Sequence, residues 1–341
     1  MKAAFAVPGN PEQAEVVEWD EPVPADGEVL VEGLLVGMCG TDVEIVRDGF
    51  GTPPPGRSGF VLFHESLGRV LAAPMGGDLA PGDLVAGVVR RPDAAPCPAC
   101  AEDAWDFCQN GRYTERGIKE LDGYGMQRWT VPPKFAVKLD PTLGDLGVLT
   151  EPGSVVAKAW DQVLLNCRRA HLTPRTVLVT GAGPIGLLAA MLAVQRGLIA
   201  HVVDRATSGR KPDLVRGLGA TYHSTVDTVP EVDVAIECTG VAELVWEAVR
   251  RSAVTALTGL SGDTGTFAAD RVVTDELVLH NRVVVGSVNA GLGDYRTAAA
   301  ALAAADRTWL GGLVTRRVPL DSFTDALERR PDDVKVVVDL A

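Results

Sequence analysis

Three side chains that could hold a metal ion occur early in the sequence, at Cys39 and at the neighbouring pair His64 and Glu65. A catalytic zinc ion needs about three protein ligands from cysteine, histidine and carboxylate, while one position stays open for water or substrate. Cys39, His64 and an acid satisfy this requirement. Each residue also has an ordinary explanation, with Cys39 as a small core residue, His64 as a partly buried histidine and Glu65 as a surface charge.

A second motif is suited to a dinucleotide. Segment 180–186 reads Thr-Gly-Ala-Gly-Pro-Ile-Gly and lies between the β-branched run 176–180 and an Ala- and Leu-rich run that begins a helix. In such a unit the first glycine permits a tight turn, the second lets the backbone approach a pyrophosphate, and the third lets helix and strand pack closely. The helix N-terminus offers free N–H groups to an anion. We therefore expect the cofactor to lie against Gly181, Gly183, Pro184, Ile185 and Gly186.

The residues after the next strand bear on the choice between NAD and NADP. Asp204 lies about 20 residues beyond the glycines, where a carboxylate binds the ribose hydroxyls of NAD and repels the 2′-phosphate of NADP. Arg205 could instead accept that phosphate. The sequence favours NAD, and the use of both cofactors stays open because Arg210 and Lys211 lie close by in the chain.

The composition is typical of a cytoplasmic enzyme with a small-molecule substrate. The formal net charge is −13, whereas a surface that binds nucleic acid is expected to be basic. The sequence has no leading basic and apolar segment and no long apolar run, so we expect neither secretion nor membrane insertion. Cys97, Cys100 and Cys108 crowd together, and an intracellular cluster of this kind favours a metal site over disulfides.

The elements that must position these residues form two domains. A chain of 341 residues exceeds what one hydrophobic core usually organises. Residues 1–150 alternate short β-rich runs with glycine and proline turns, which is typical of an antiparallel, barrel-like domain. The segments that read as further parallel strands of the dinucleotide domain are 232–240, 254–260 and 283–286. We predict an α/β protein with a catalytic domain at 1–160 and 293–341, and a doubly wound cofactor domain at 161–292.

Taken together, these motifs resemble the zinc-dependent medium-chain dehydrogenases. The order is Cys-Gly-Thr-Asp, His-Glu, a cysteine-rich loop, Glu151-Pro152 and the glycine motif. A finer resemblance, to the glucose dehydrogenase branch of that family, lies in segments 108–117, 149–152, 276–282 and 286–289. The resemblance covers essentially the whole chain. It implies a GroES-like, β-barrel-type catalytic domain and a Rossmann cofactor domain.

The resemblance also implies roles for the residues of the metal site. Cys39 and His64 are expected to be zinc ligands, and Glu65 either a ligand or a residue that moves in and out of the metal's shell. Glu151 completes the site directly or through a water. Thr41 is expected to pass a proton toward solvent, although a turn or cap hydroxyl is the alternative reading of this residue.

By the same resemblance, Glu115, Asn289 and Glu151 lie where glucose-oxidising relatives bind sugar. The alternative for Glu115 is a structural ion pair with Arg112 or Arg116. Small or polar residues at the ends of the later strands are expected to face the cofactor, and these are Thr239, Ser287 and Asn289. Val89 and Val155 occupy places where some relatives have polar contacts, which leaves the identity of the sugar open.

The cysteine loop departs from the family pattern. The family's structural zinc has four cysteines, whereas this chain offers only Cys97, Cys100 and Cys108. Asp93 is the expected substitute for the fourth ligand, with Asp103 as a second candidate, because zinc also accepts carboxylate oxygen. The alternative is a loop that has lost its metal.

The sequence thus predicts a zinc-dependent oxidoreductase that transfers a hydride from a secondary alcohol of a sugar or polyol to NAD or NADP. The simplest substrate is the C1 hydroxyl of glucose or a related aldose. The alternatives are a cyclitol, aminocyclitol or modified-sugar dehydrogenase of a biosynthetic pathway, and a nucleotide sensor without catalysis, against which the intact metal motif argues. We expect a homodimer or homotetramer.

Overall fold

The structure is a computed structural model that describes residues 1–260 and 271–341. Its contacts divide the chain into unit 1, Met1–Glu151 with Asn289–Ala341, and unit 2, Pro152–Val288. Residues 152–160 and 289–292 therefore fall in the opposite unit from the one that the sequence-based boundaries gave them. No helix in the described ranges is long and apolar enough to cross a lipid bilayer.

The strands follow one another along both units. They are β1 (Lys2–Val7), β2 (Asn10–Glu18), β3 (Val29–Gly37), β4 (Phe60–Val61), β5 (Glu65–Ala72), β6 (Leu84–Gly87), β7 (Arg90–Arg91), β8 (Thr114–Arg116), β9 (Glu120–Leu121), β10 (Arg128–Val131), β11 (Ala136–Lys138), β12 (Thr176–Thr180), β13 (Ile199–Val203), β14 (Thr221–His223), β15 (Val234–Glu237), β16 (Val254–Leu257), β17 (Val283–Gly286), β18 (Val314–Pro319) and β19 (Lys335–Asp339).

Helices connect and flank these strands. The α-helices are α1 (Gly40–Asp48), α2 (Pro98–Ala101), α3 (Thr150–Arg169), α4 (Pro184–Gln195), α5 (Arg210–Gly217), α6 (Ala242–Arg251), α7 (Arg271–Leu279), α8 (Leu292–Ala304) and α9 (Arg307–Leu313). Short 3₁₀ helices occur at Trp105–Phe107, Pro133–Phe135, Pro141–Leu149, Val226–Thr228 and Leu320–Leu327.

Unit 1 is built from sheets of mainly antiparallel strands. Its largest sheet has the order β11-β6-β5-β3-β19-β18, and β10 also pairs with β3. Two smaller sheets have the orders β2-β1-β4 and β7-β8-β9. The pairs β18–β19 and β8–β9 are parallel, a departure from the antiparallel prediction. Strand β19 returns to the first domain as predicted, because it pairs with β3.

Unit 2 contains a parallel sheet in the order β14-β13-β12-β15-β16-β17. All neighbouring strands in this sheet run parallel. The order reverses beside β12, and in such doubly wound sheets ligands bind at the carboxyl ends of the strands near that reversal. The predicted Rossmann-type sheet is confirmed.

The core of unit 2 explains why these short segments form a sheet that is covered on both faces. Val177, Leu178 and Val179 of β12 are completely buried, as are Val234 and Ile236 of β15. Such near-continuous apolar strands are typical of parallel sheets, and burial of each large side chain contributes about 1.5–3 kcal/mol. The buried sheet fixes the starting points of the loops that follow its carboxyl ends.

Candidate metal centre and cofactor site

Cys39, His64 and Glu65 lie together in unit 1. One potential ligand atom from each residue lies within 4.8 Å of the other two. Cys39 follows β3 and is the N-cap of α1, whereas Glu65 begins β5 and His64 precedes it. Gly37 of β3 pairs with Glu65 of β5, so the antiparallel register brings the two segments to one end of the sheet.

A buried lysine, which the sequence analysis missed, holds the Glu65 carboxylate. Lys335 Nζ donates to Glu65 Oε1 at 2.7 Å, to Oε2 at 2.5 Å and to the Met38 carbonyl at 3.0 Å. Burial lowers the pKa of Lys335, but the charges of Glu65 and Cys39 and the hydrogen bonds with Glu65 together outweigh burial, and the pKa rises above its ordinary value. Strand β3 lies between the strands that carry the two charges, and a Cβ at Gly37 would lie 2.0 Å from Glu65 Oε2. Glycine therefore makes room for this ion pair.

Asp42 is a second buried charge that supports the group. Its Oδ2 accepts from the Cys39 backbone N–H at 2.8 Å, and its Oδ1 accepts from the Phe63 N–H at 3.3 Å. Oδ1 also lies 3.9 Å from His64 Nδ1. Burial raises the pKa of Asp42. The side chain ties the loop of Cys39 to the loop of His64, a role that its place in the Cys-Gly-Thr-Asp motif could have suggested.

The surroundings of His64 fit a metal ion. Burial lowers the pKa of His64, but a hydrogen bond with Cys39 and the charge of Asp42 outweigh it and raise the pKa well above 6.5. Among the described residues, buried Nδ1 has no hydrogen-bond partner. Protons and metal ions compete for the same ligand lone pairs, so anionic surroundings that favour one also favour the other. Thiolate, imidazole and carboxylate are donors that zinc accepts.

Glu151 and Thr41 lie beside this group. Glu151, in the first turn of α3, is buried, and burial raises its pKa to about 7, although the charge of His64 opposes that shift. The ligand group found within the described ranges holds Cys39, His64 and Glu65 without Glu151. Thr41 Oγ1 lies 3.8 Å from Cys39 Sγ.

The three loop cysteines also lie together. Ligand atoms of Cys97, Cys100 and Cys108 are within 4.8 Å of one another, around the short helix α2. The Gln109 N–H donates to Cys97 Sγ at 3.3 Å, and this bond, together with the Cys100 N–H, lowers the pKa of Cys97 to about 6. Stabilised thiolates of this kind fit a zinc ion.

Neither predicted fourth ligand belongs to that group of thiols in the described structure. The Asp93 carboxylate accepts from the Ala95 N–H at 3.0 Å and pairs with Arg112 Nε at 3.0 Å. Asp93 also accepts from the amide of Asn110, whose Oδ1 lies 3.0 Å from Cys108 Sγ. Asp93 is thus linked to the cysteines through Asn110. Asp103 pairs with Lys134 on the surface.

Glu115 and Asn289 meet in a buried cluster of unit 1, and the partner of Glu115 is Arg90 rather than Arg112 or Arg116. Arg90 Nε donates to Glu115 Oε1 at 2.9 Å, and Asn289 Nδ2 donates to the same oxygen at 3.0 Å. Glu115 Oε2 has no hydrogen bond to any described residue. The sequence analysis considered Val89 but did not consider the neighbouring Arg90 as a partner for Glu115.

The glycine turn of unit 2 has the predicted geometry. It follows β12, Gly181 has φ 85°, and Gly183 is the N-cap of α4, which starts at Pro184 and Ile185. A Cβ at Gly186 would lie 1.8 Å from the Gly181 carbonyl oxygen, so packing requires that glycine. A Cβ at Gly183 would meet nothing within 4 Å. Packing of the protein does not require glycine there, and the open space fits the diphosphate of a dinucleotide.

Other predicted cofactor residues lie at the carboxyl ends of the strands. Thr239 follows β15, and its N–H donates to Oε1 of the fully buried Glu237 at 2.8 Å. Ser287 follows β17, and its buried Oγ has no hydrogen-bond partner in the described part of the chain. Asp204 follows β13, and its backbone N–H bonds to the His223 carbonyl of β14 at 3.1 Å. Arg205 beside it is exposed.

The fold and these two sites define a medium-chain dehydrogenase. An alcohol dehydrogenase GroES-like domain model matches residues 25–141, and a glucose dehydrogenase C-terminus model matches residues 144–340. The chain belongs to the glucose dehydrogenase family, which confirms the resemblance and the two-domain fold class predicted from the sequence.

Individual relatives agree with this assignment over their whole length. The chain is 38% identical to the glucose 1-dehydrogenase of Thermoproteus tenax, with 99% of each chain covered. It is 36% identical to glucose 1-dehydrogenase 1 of Caldivirga maquilingensis, with 100% of this chain and 99% of the relative covered. Haloferax mediterranei glucose dehydrogenase, solved in complex with NADP, Zn and gluconolactone, superposes with a TM-score of 0.90 at 31% identity, over 100% of this chain and 99% of that one.

Proposed function

We propose that this protein is a zinc-dependent sugar dehydrogenase that transfers a hydride from the C1 hydroxyl of glucose or a related aldose to NAD or NADP. The observation that carries the proposal is the group of Cys39, His64 and Glu65, whose ligand atoms lie within 4.8 Å of one another. The Haloferax mediterranei relative contains Zn, NADP and gluconolactone, the C1 oxidation product of glucose. The same metal, cofactor class and substrate class fit the residues of this chain.

The catalytic metal would be held by Cys39, His64 and Glu65. Zinc, when bound, polarises the substrate hydroxyl and stabilises negative charge on its oxygen as the hydride leaves. Lys335 and Asp42 fix the two protein segments that supply the ligands. Glu151 lies outside the three-residue group, which favours the water-mediated form of its predicted role.

Thr41 is proposed to carry the substrate's proton away from the site. Its hydroxyl lies beside Cys39 Sγ, and a hydroxyl can accept one proton while donating another. Glu151, with a pKa of about 7, is a second group that can exchange a proton near neutral pH.

The buried cluster of Glu115 and Asn289 is proposed to bind sugar hydroxyls. Arg90 and Asn289 both donate to Oε1 of Glu115, which leaves Oε2 to accept from a ligand. A buried hydroxyl left without a partner costs about 1–3 kcal/mol, so fixed polar groups of this kind select polyhydroxylated substrates. Arg90 positions Glu115 for that task.

In unit 2, the turn and the start of α4 are proposed to bind the cofactor's diphosphate through Gly181, Gly183, Pro184, Ile185 and Gly186. Thr239 and Ser287 are proposed to contact the cofactor at the ends of β15 and β17, together with Asn289. Asp204 and Arg205 would face its adenosine ribose. A nicotinamide cofactor bound by these residues would accept the hydride.

The cysteine loop is proposed to bind a second, structural zinc through Cys97, Cys100 and Cys108. Asp93 remains the predicted fourth ligand, and its link to Cys108 through Asn110 places it next to the thiols. We also propose a cytoplasmic homodimer or homotetramer that binds neither nucleic acid nor membranes, which light scattering and fractionation of cells can check.

A second candidate function is oxidation of a cyclitol, aminocyclitol or modified sugar. Val89, whose place is polar in some glucose-oxidising relatives, is buried here, and its N–H bonds to the Tyr295 hydroxyl at 3.2 Å. An apolar side chain at this place fits a substrate in which one hydroxyl is absent or replaced, such as an aminocyclitol or a modified sugar, better than it fits glucose.

The test is reduction of NAD and of NADP at mildly alkaline pH with a panel of aldoses, polyols and cyclitols, with and without a chelator. We expect chelator-sensitive oxidation of glucose or a related aldose. Cys39→Ala should lower turnover at least about 1,000-fold while the cofactor still binds, because the chemistry depends on the metal. Cys167→Ala, which removes a buried thiol outside both ligand groups, is the matched control.

Turnover of cyclitols alone would favour the second candidate. Full activity of Cys39→Ala would show that the metal assignment is wrong. A zinc-free protein that binds the cofactor and oxidises nothing in the panel would revive the nucleotide-sensor hypothesis.

A further inference from the structure

In unit 2 the Asp204 carboxylate is bonded to the protein's own backbone and to a lysine. Its Oδ2 accepts from the Ala182 N–H at 2.9 Å, and its Oδ1 accepts from the Ala206 N–H at 3.1 Å. Lys211 Nζ lies 3.2 Å from Oδ2. Burial raises the pKa of Asp204, but these donors outweigh burial and lower it, so the group is an anion at neutral pH.

The lysine that neutralises this anion lies in the first turn of α5. Its side chain is 27% exposed, whereas that of Asp204 is 11% exposed. Lysine carries a compact charge on a flexible four-carbon stem, so its ammonium can change partners without movement of the helix. The exposed Arg205 and Arg210 add positive charge nearby, but of these three cations Lys211 is the one that the described structure shows bonded to the carboxylate.

We propose that Lys211 is a cofactor-specificity residue that allows this chain to use both NAD and NADP. In the complex with NAD, Lys211 stays on Asp204, and the carboxylate accepts from the ribose 2′-hydroxyl. In the complex with NADP, the ammonium binds the 2′-phosphate and offsets its repulsion by Asp204. An acid without such a cation selects against the phosphate. The inference rests on the proposed dehydrogenase function and extends it to the choice of cofactor.

The test uses the full chain and two nucleotide fragments, so that no sugar is needed. Binding of AMP and of adenosine 2′,5′-bisphosphate is measured by calorimetry for the natural protein, Lys211→Met and Lys211→Arg. We expect Lys211→Met to weaken the bisphosphate about tenfold to a hundredfold, since a charge-assisted hydrogen bond is lost, and to change AMP less than about threefold. Lys211→Arg keeps the cation and should keep most of the preference.

The control variant is Arg169→Met, which removes one exposed cation from the last turn of α3 in the same unit and should leave the ratio of the two affinities unchanged. Equal weakening of both fragments by Lys211→Met would show that the lysine only supports Asp204, and would overturn the proposal. An unchanged ratio, or a selective loss in Arg205→Met alone, would overturn it as well.

The same experiment separates this inference from the proposed function. A shift in the fragment ratio in a protein that oxidises no sugar would disprove the dehydrogenase proposal and support the role of Lys211. If the protein oxidises sugar but Lys211→Met leaves the ratio of the two fragment affinities unchanged, the dehydrogenase proposal is supported and the role of Lys211 is disproved.

Discussion

The two groups of potential metal ligands in unit 1 are assembled in opposite ways. Cys39, His64 and Glu65 lie at the adjoining ends of two paired strands, β3 and β5, and depend on the buried charges of Asp42 and Lys335. Cys97, Cys100 and Cys108 come from one short loop. Backbone N–H groups of that loop stabilise the Cys97 thiolate. The first group therefore depends on the whole sheet, whereas the second depends on local geometry.

This difference separates two requirements on a metal site. The strand-built group keeps its ligands in place with buried charges, each of which would cost free energy if it lost its partner. Such an arrangement suits a site that must stay rigid while one metal position is open to substrate. The loop-built group holds thiols whose hydrogen-bond partners, the Gln109 N–H and the Asn110 side chain, belong to the same loop. A substitution in the cysteine loop should then affect stability alone. A substitution of one of the buried charges that support Cys39, His64 and Glu65 should affect both stability and activity.

The largest effect that would sharpen this comparison is expected for Lys335→Met. It leaves the Glu65 carboxylate buried without its partner, and loss of one member of a buried ion pair lowers the free energy of unfolding by about 3–5 kcal/mol. Urea unfolding measures this. Lys134→Met removes the exposed pair with Asp103 near the loop, and should cost about 0–1 kcal/mol. Similar losses in both variants would contradict the contrast. Adding Glu65→Gln to Lys335→Met should recover part of the stability.

A smaller effect is expected for Cys100→Ser, which removes the buried thiol of the loop group. The zinc content should fall by one ion per chain, and the free energy of unfolding by about 1–3 kcal/mol, as for most disruptive substitutions. The turnover number of the folded enzyme should stay within about twofold because the loop supplies no catalytic ligand. Metal analysis and steady-state kinetics on the same sample check this. An unchanged zinc content would show that the loop binds no metal.

The smallest effect concerns pH. The pKa of Cys97 is lowered to about 6, so its thiolate exists above that pH and is protonated below it. Zinc binds thiolate rather than thiol, so the affinity of the loop for zinc should fall by up to about tenfold for each pH unit below about 6, and zinc should be released at a pH below that value. Metal content after dialysis at a series of pH values measures the release. Cys97→Ser should abolish this step, and a step that persists in the variant would assign it to another ligand.

Local patterns in the sequence were sufficient for much of this architecture. The glycine turn predicted the strand, the turn and the start of α4, because all three follow from a few adjacent residues. The Cys-Gly-Thr-Asp and His-Glu motifs predicted which side chains come together, as the ligand group shows.

Hydrogen-bond and ion-pair partners that are distant in the chain could not be predicted from local sequence patterns. Glu65 and Lys335 are 270 residues apart, and Glu115 and Asn289 are 174 apart. Arg112 and Arg116 were considered for Glu115 only because they are near in sequence, whereas sheet pairing places Arg90 opposite Glu115. A charged residue that begins a strand and is followed by three valines, as Lys335 begins β19, was the available signal.

The position of β19 in the chain has a consequence for how the protein is made. Strand β19 lies between β3 and β18 in the large sheet of unit 1, yet the ribosome adds it only after all of unit 2. During synthesis, unit 2 can fold from one continuous stretch of chain. The ion pair of Glu65, in contrast, cannot form until Lys335 has been made. The growing chain therefore contains the whole of unit 2 before the candidate metal ligand Glu65 can pair with Lys335. Any factor that binds the nascent protein has that interval in which to reach residues 35–37 of β3, which pair with β19 in the finished sheet.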